Sequence, residues 1–115
     1  GDTAVRATAY AMRRFAAERP GIYLATIHSA AQDDDELINA GDRVVSIFTA
    51  VLRGYGFEGD EAIHAMRVMR NVIHGFVLTE AAHYFRYSAS VDTSFERLID
   101  VLIQGLNSWP GNATD

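Results

Sequence analysis

The stretch that decides the fold reads Val68-Met69-Arg70-Asn71-Val72-Ile73-His74-Gly75-Phe76-Val77-Leu78-Thr79-Glu80. It lies inside a proline-free helical pattern that we predict to run over residues 60–85. At 100° per residue, its apolar side chains cover well over a third of the helix circumference. A surface helix with one neighbour needs a narrower apolar face. We therefore expect a central helix with neighbours on more than one side.

Four further helices are predicted around this one. Apolar residues at three- and four-residue spacing predict helices over residues 2–18, 20–29 and 35–53. Asp2 or Thr3 suits the N-cap of the first helix, and Asp60 that of the central helix. Pro20 suits the first turn of the second helix, and the glycines of Gly54-Tyr55-Gly56 suit the end of the third. No period-two strand pattern is present, so we expect an all-α, five-helix bundle.

The last helix is predicted over residues 94–108, where Thr93 and Glu96 have the spacing of a capping box. Its apolar residues cover about twice the arc of its polar ones. Like the central helix, it needs a second neighbour, and a second copy of the chain in a two-fold contact is the simplest one. Gly75 lies in a lane of small residues on the central helix, where we expect a close helix crossing.

Composition limits what the domain can do. The chain has 115 residues, 49% of them hydrophobic, which predicts one globular domain over residues 1–115. It contains no cysteine and carries a formal net charge of −5. With scattered arginines and no basic face, we expect no DNA binding by this piece alone. No apolar run is long enough to span a membrane, and we expect a cytoplasmic protein.

Two Glu-x-x-His pairs, beginning at Glu61 and Glu80, have the spacing used by di-iron bundles. Both lie on one predicted helix, nineteen positions or about 28 Å apart, so they do not share a metal pair. The acidic run of residues 33–36 lacks the alternation and the glycine turn of a calcium loop and suits a helix N-terminus. We predict no metal, no cofactor, no catalytic residue and no enzymatic activity.

Arg70 and His74, one helical turn apart, form the most pocket-like feature of the sequence. A charged group at the edge of an apolar arc needs an acidic partner, water or a ligand, so a surface ion pair is the alternative. Aromatic and methionine side chains line adaptable pockets, although spacing alone does not separate that role from a place in the core. The predicted ligand-binding residues are Tyr23, Phe48, Met66, Arg70 and His74.

The segment from Arg70 to Glu80 resembles the His-Gly-Phe segment in the C-terminal regulatory domain of TetR-family transcriptional regulators. The subgroup named for a Trp-His-Gly motif is the most similar, although Ile73 stands where that name has tryptophan. The resemblance extends to residues 14–23, a helix followed by Pro-Gly and an aromatic residue, and to residues 93–106, which resemble that domain's final helix.

This resemblance implies an effector-binding and dimerisation domain of a transcriptional repressor whose last two long helices form a four-helix dimer interface. A separate N-terminal helix-turn-helix domain, absent from this chain, binds operator DNA, and a small apolar or aromatic effector releases it. The partners expected are therefore a second copy, an effector and, through the absent domain, operator DNA. The predicted interface residues are Ile73, Phe76, Val77, Tyr84, Phe95, Leu98, Leu102 and Leu106. The alternatives are a homodimerisation module with a filled core and no physiological ligand, and then a helical-bundle enzyme.

Overall fold

The structure is a computed structural model that describes residues 1–28 and 35–110, and the side chains of residues 1–24 and 42–110. Five α-helices follow one another: α1 (Asp2–Glu18), α2 (Pro20–His28), α3 (Asp35–Leu52), α4 (Gly59–Ala81) and α5 (Val91–Asn107). A 3₁₀ turn, Arg53–Tyr55, follows α3. The described residues contain no strand, which confirms the predicted all-α class. The acidic run of residues 33–36 lies outside the described side chains.

The helix α4 is central, as its wide apolar arc predicts, because it packs against α1, α3 and α5. Its fully buried residues recur every four positions at Ala65, Met69, Ile73 and Val77. This spacing places them along one side of the helix, where they meet buried residues of the three neighbours. The core therefore lies along one side of α4 and leaves the opposite side outside it.

Three of the predicted helix ends agree with the structure. Pro20 begins α2, since its fixed φ suits a first turn. The end of the third helix is confirmed: the segment closes at Gly56, whose φ of 77° is the left-handed conformation that glycine adopts easily. The predicted start of α3 at residue 35 also agrees with the structure.

The predicted caps were wrong. Gly1 occupies the N-cap of α1, and the Asp2 carboxylate instead accepts hydrogen bonds from the Tyr55 hydroxyl at 2.6 Å and from Asn107 Nδ2 at 3.1 Å. These bonds lower the pKa of Asp2 and connect the start of α1 with the ends of α3 and α5. Glu58, rather than Asp60, precedes α4 and makes no side-chain capping bond.

The last helix begins earlier and the central helix ends earlier than predicted. Ser90, three residues before Thr93, caps α5 by accepting a hydrogen bond from the Thr93 backbone N–H. The central helix ends at Ala81 instead of residue 85, because His83 adopts a φ of 60° and turns the chain. The ring of Phe85 then packs against that of Phe76, with centroids 4.9 Å apart.

The side chain of Arg13 joins three helices. Its Nε donates to Glu80 Oε1 at 2.9 Å and its Nη2 donates to Glu80 Oε2 at 2.6 Å, which connects α1 to α4. The same Nη2 lies 2.9 Å from Asp92 Oδ1 in the first turn of α5. The guanidinium also lies over the rings of Phe95 and Phe76, 4.9 and 5.5 Å from their centroids. We call these five side chains the Arg13 cluster.

Replacement of Arg13 by alanine is expected to lower the free energy of unfolding by about 2–3 kcal/mol, because it leaves the part-buried Glu80 without its ion-pair partner and removes the guanidinium from the rings of Phe76 and Phe95. Arg6→Ala is the matched control, since the Arg6–Asp100 pair spans α1 and α5 with 41% and 37% of the two side chains exposed. The loss in the free energy of unfolding caused by Arg6→Ala should be much smaller. Urea unfolding followed by circular dichroism measures both, and equal losses would contradict this account of Arg13.

Candidate functional site

The predicted ligand-binding residues fall into two groups. Phe48 is buried and Met66 is half-buried, and both pack in the core that α4 shares with its neighbours. Tyr23, Arg70 and His74 instead form a hydrogen-bonded chain, which we call the Tyr23 cluster. Sequence spacing identified the pair on α4, whereas the contact of Tyr23 depends on how α2 packs against α4.

The hydrogen bonds of the Tyr23 cluster determine the tautomer of His74. Arg70 Nε donates to His74 Nε2 at 3.1 Å, so this ring nitrogen carries the lone pair. The proton of the neutral ring is therefore on Nδ1, which hydrogen-bonds the hydroxyl of Tyr23. Tyr23 is only 2% exposed, and its ring also contacts the ring of Phe15, with centroids 6.2 Å apart.

Burial and charge keep this cluster in one protonation state. Burial, and then the neighbouring Arg70 guanidinium, lower the pKa of His74 to about 4, so the ring is neutral near pH 7. Burial also raises the pKa of Tyr23 above its ordinary value, although Arg70 acts in the opposite direction. The guanidinium is then the only formal charge of the cluster. Within the described side chains Arg70 makes no ion pair.

The glutamates of the two Glu-x-x-His pairs have structural partners. Glu61 accepts a hydrogen bond from Trp109 Nε1 at 2.9 Å, which joins the start of α4 to the residues after α5. Glu80 is held by Arg13. Within the part of the chain that the structure describes, no three His, Cys, Asp or Glu side chains come together as a possible metal site.

Most of the predicted interface residues are buried in the single chain, although Leu98, Leu102 and Leu106 line a groove between α4 and α5. Ile73, Val77, Phe95, Leu102 and Leu106 are buried in the core of the chain itself. Phe76 and Leu98 are half-buried, and Tyr84 is 72% exposed in the segment between α4 and α5. The wide apolar arcs of the two helices are thus largely covered within the chain. A partner would instead meet the apolar residues that remain exposed.

Two of the exposed apolar residues, Val68 and Val101, border a groove between α4 and α5, which we call the outer groove. It encloses about 240 Å³ and is lined almost entirely by apolar side chains, namely Val68, Val72, Leu98, Val101, Leu102, Leu106 and Trp109, together with Gly105. Val68 is 41% exposed and Val101 is 65% exposed. Gly75 lies two turns after Val68 on the same side of α4. The predicted close crossing at Gly75 is not made within the described chain, because an added Cβ there would meet no atom within 4 Å.

Comparison with known proteins agrees with this architecture. Residues 5–102 match the family model described as the tetracyclin repressor-like C-terminal domain. The chain belongs to the TetR family. The resemblance drawn from the sequence is therefore confirmed at the level of the family, and the Trp-His-Gly subgroup stays a prediction.

Two curated relatives of this TetR-family chain are named as HTH-type transcriptional regulators. YobS of Bacillus subtilis (strain 168) is 31% identical over 107 residues, which are 92% of this chain and 55% of that protein. Rv0681 of Mycobacterium tuberculosis (strain ATCC 25618 / H37Rv) is 36% identical over 80 residues, which are 69% of this chain and 37% of that protein. The chain thus spans about half or less of each relative. None of the helices described is long and apolar enough to cross a membrane.

The protonation state of His74 predicts a pH dependence of stability. Its folded pKa of about 4 lies below the ordinary 6.5, so the unfolded chain takes up the proton first as the pH falls. The stability that neutral His74 contributes is therefore complete above pH 6.5 and is lost between pH 6.5 and 4. After allowance for the partial solvent access of the ring, the loss is on the order of 1–2 kcal/mol.

The variant His74→Gln isolates this contribution, because carboxylates that titrate in the same range are common to both proteins. Urea unfolding at pH 7, 5.5 and 4 should show the advantage of the wild type shrinking as the pH falls. A difference that is constant over this range would show that His74 is not held neutral by the fold.

Proposed function

We propose that this chain is the effector-binding and dimerisation part of a TetR-family transcriptional repressor. The observation that carries the proposal is the division of α4 into a side that holds the Tyr23 cluster and a side that borders the outer groove. The family match over residues 5–102 and two relatives named as HTH-type regulators support it. Operator DNA would be bound by a helix-turn-helix domain in the part of the relatives that this chain does not span, and no enzymatic activity is proposed.

The outer groove is the proposed dimer surface, with a second copy of the chain as its occupant. An exposed helical glycine costs about 1 kcal/mol relative to alanine. A Cβ added at Gly75 or Gly105 would meet no atom of the described residues within 4 Å, so nothing in the described part of the chain requires glycine there. A second helix packed closely on this face would require it. With Val68 and Val101 exposed beside the glycines, the face suits a two-fold, four-helix contact.

The Tyr23 cluster is the proposed effector contact. Because His74 is neutral and Arg70 makes no ion pair among the described side chains, the cluster presents one uncompensated positive charge beside the buried ring of Tyr23. An effector with an aromatic or apolar body and an acceptor group complements this arrangement. Such an effector would favour one position of α4 over another.

The proposed mechanism is a shift between two arrangements of the dimer. His74 and Gly75 are consecutive residues of α4 and point about 100° apart, so one rigid helix contacts both the effector and the partner chain. An effector that binds one position of α4 more tightly shifts the dimer towards the matching arrangement. That change would alter the spacing of the two DNA-binding domains and release the operator, in a protein that we place in the cytoplasm.

A homodimerisation module without a small ligand is the second candidate. The burial of Phe48, at 1% exposure, and of Tyr23 favours it, because side chains that fill a core leave no space for an effector. The two candidates share the dimer surface and differ in whether the Tyr23 cluster binds a ligand.

The dimer surface is tested by Val101→Arg, which places a charge in the outer groove at a position that a folded monomer tolerates. The wild type should be a dimer by light scattering coupled to size exclusion, and the variant a folded monomer. Ala11→Arg, at an exposed position of α1, is the control and should remain a dimer. A Val101→Arg variant that dimerises like the wild type would remove the outer groove from the interface.

The effector contact is tested by thermal shift with a library of apolar and aromatic acids and their neutral analogues. A ligand at a hundred times its dissociation constant adds about 2.7 kcal/mol of stability. Arg70→Gln should abolish the shift, whereas Arg67→Gln, an exposed position one turn earlier on α4, should preserve it. If no compound stabilises the wild type, the result favours a homodimerisation module without a small ligand.

A further inference from the structure

A cavity bounded by described residues lies between the second half of α1, the start of α2 and the end of α4. Its volume is about 650 Å³, within the range of small-molecule sites. Its edge residues Pro20 and Val77 lie one helical turn from Tyr23 and His74 respectively. The cavity is therefore adjacent to the Tyr23 cluster, but none of that cluster's side chains lines it.

Small side chains create this space. Ala17 on α1 and Ala81 at the last residue of α4 both line the cavity, and each stops at its Cβ. The helix α1 ends at Glu18 and α2 begins at Pro20, so α1 does not continue along the cavity. Tyr10 provides an apolar wall, since its ring is held edge-on against Phe95 with centroids 5.0 Å apart. The interior therefore suits the apolar body of a ligand.

His83 lies at the cavity with a positive φ, a backbone conformation that few non-glycine residues adopt. Its φ of 60° is the left-handed position at which helices commonly end with glycine or asparagine. The backbone N–H of His83 donates to the Glu80 carbonyl and that of Tyr84 donates to the Thr79 carbonyl, so the position is required by the end of α4. The imidazole of His83 forms part of the cavity wall. Such backbone outliers cluster at ligand-binding positions.

Among the described side chains, one cation at the cavity makes no ion pair. The guanidinium of Arg13 is paired with Glu80 and Asp92. The neighbouring Arg14 also lines the cavity, is exposed, and makes no ion pair within the described side chains. Arg14 and His83 both line the cavity, and a carboxylate complements a guanidinium and an imidazole, since both groups can donate hydrogen bonds to its oxygens.

We propose that this cavity is a second small-molecule site, and that it binds an organic acid whose apolar body lies between Ala17 and Ala81 and whose carboxylate meets Arg14 and His83. The site is separate from the Tyr23 cluster and does not depend on the regulator assignment. It also gives a role to the Glu80-Ala81-Ala82-His83 segment, in which Glu80 holds Arg13 while Ala81 and His83 line the cavity.

The test is isothermal titration of the full chain with decanoate and with its neutral counterpart decan-1-ol. Ala17→Leu fills the cavity and should weaken binding of both probes by about tenfold or more, since the added methylenes occupy the space of the ligand. Arg14→Gln should weaken decanoate by about tenfold and leave decan-1-ol unchanged, because only the acid makes a charge-assisted hydrogen bond. Ala11→Leu and Arg67→Gln are the matched controls and should bind as the wild type does.

Three results would overturn the proposal: no binding of decanoate to the wild type, equal affinity in Ala17→Leu, or a loss with Arg70→Gln in place of Arg14→Gln. The last result would move the acid to the Tyr23 cluster and leave the proposed function intact. Ala81→Leu repeats the cavity-filling test from α4 if Ala17→Leu is not folded by circular dichroism. The oligomeric state of Val101→Arg tests the proposed function without any ligand, so the two can fail separately.

Discussion

The guanidinium of Arg13 is the interaction on which the arrangement of the helices depends. It reaches from α1 to Glu80 on α4 and to Asp92 on α5, and it covers the rings of Phe76 and Phe95. Only 16% of its side chain is exposed. The two carboxylates compensate its charge where solvent cannot, so all three helices must keep their relative positions. The hydrogen bonds of Glu80 raise the pKa of Arg13 further above its ordinary value.

The fixed positions of these helices determine what each side of α4 contacts. The residues Ala65, Met69, Ile73 and Val77 bury one side of the helix in the core. With that side fixed, His74 lies against Tyr23 on α2, and Val68 remains exposed beside α5. In the proposed function the same helix contacts the effector and the second copy. A displacement of α4 at either contact would be transmitted to the other, because a packed helix moves as a rigid element.

Local chemistry allowed much of the fold to be predicted from the sequence. Pro20 and Gly56 act through their own backbone preferences, so the boundaries they make were found. The end of α4 was missed because Tyr84 and Phe85 continue its apolar pattern, while the left-handed turn at His83 goes against residue preference. The start of α5 was missed because Ser90 and Thr93 both suit an N-cap, and only the structure shows which backbone N–H each one meets.

The candidate site was predictable to the extent that it lies on one helix. Arg70 and His74 are one turn apart, and that spacing alone brings them together. The contact with Tyr23 depends on the packing of α2 against α4, which the sequence pattern does not specify. The interface residues show the same limit. Periodicity measures the width of an apolar face, but it does not tell which part of that face the chain covers itself, as it covers Ile73 and Leu102.

The central claim is that a second copy of the chain packs on the outer groove, and cross-linking tests it most directly. The chain has no cysteine, so Val101→Cys introduces a single thiol. Packed helices lie about 8–10 Å apart, so a two-fold contact should bring this thiol within reach of its own copy. A short bismaleimide should then yield covalent dimer from Val101→Cys and none from Ala11→Cys. Equal yields from the two variants, or monomer alone from Val101→Cys, would contradict the claim.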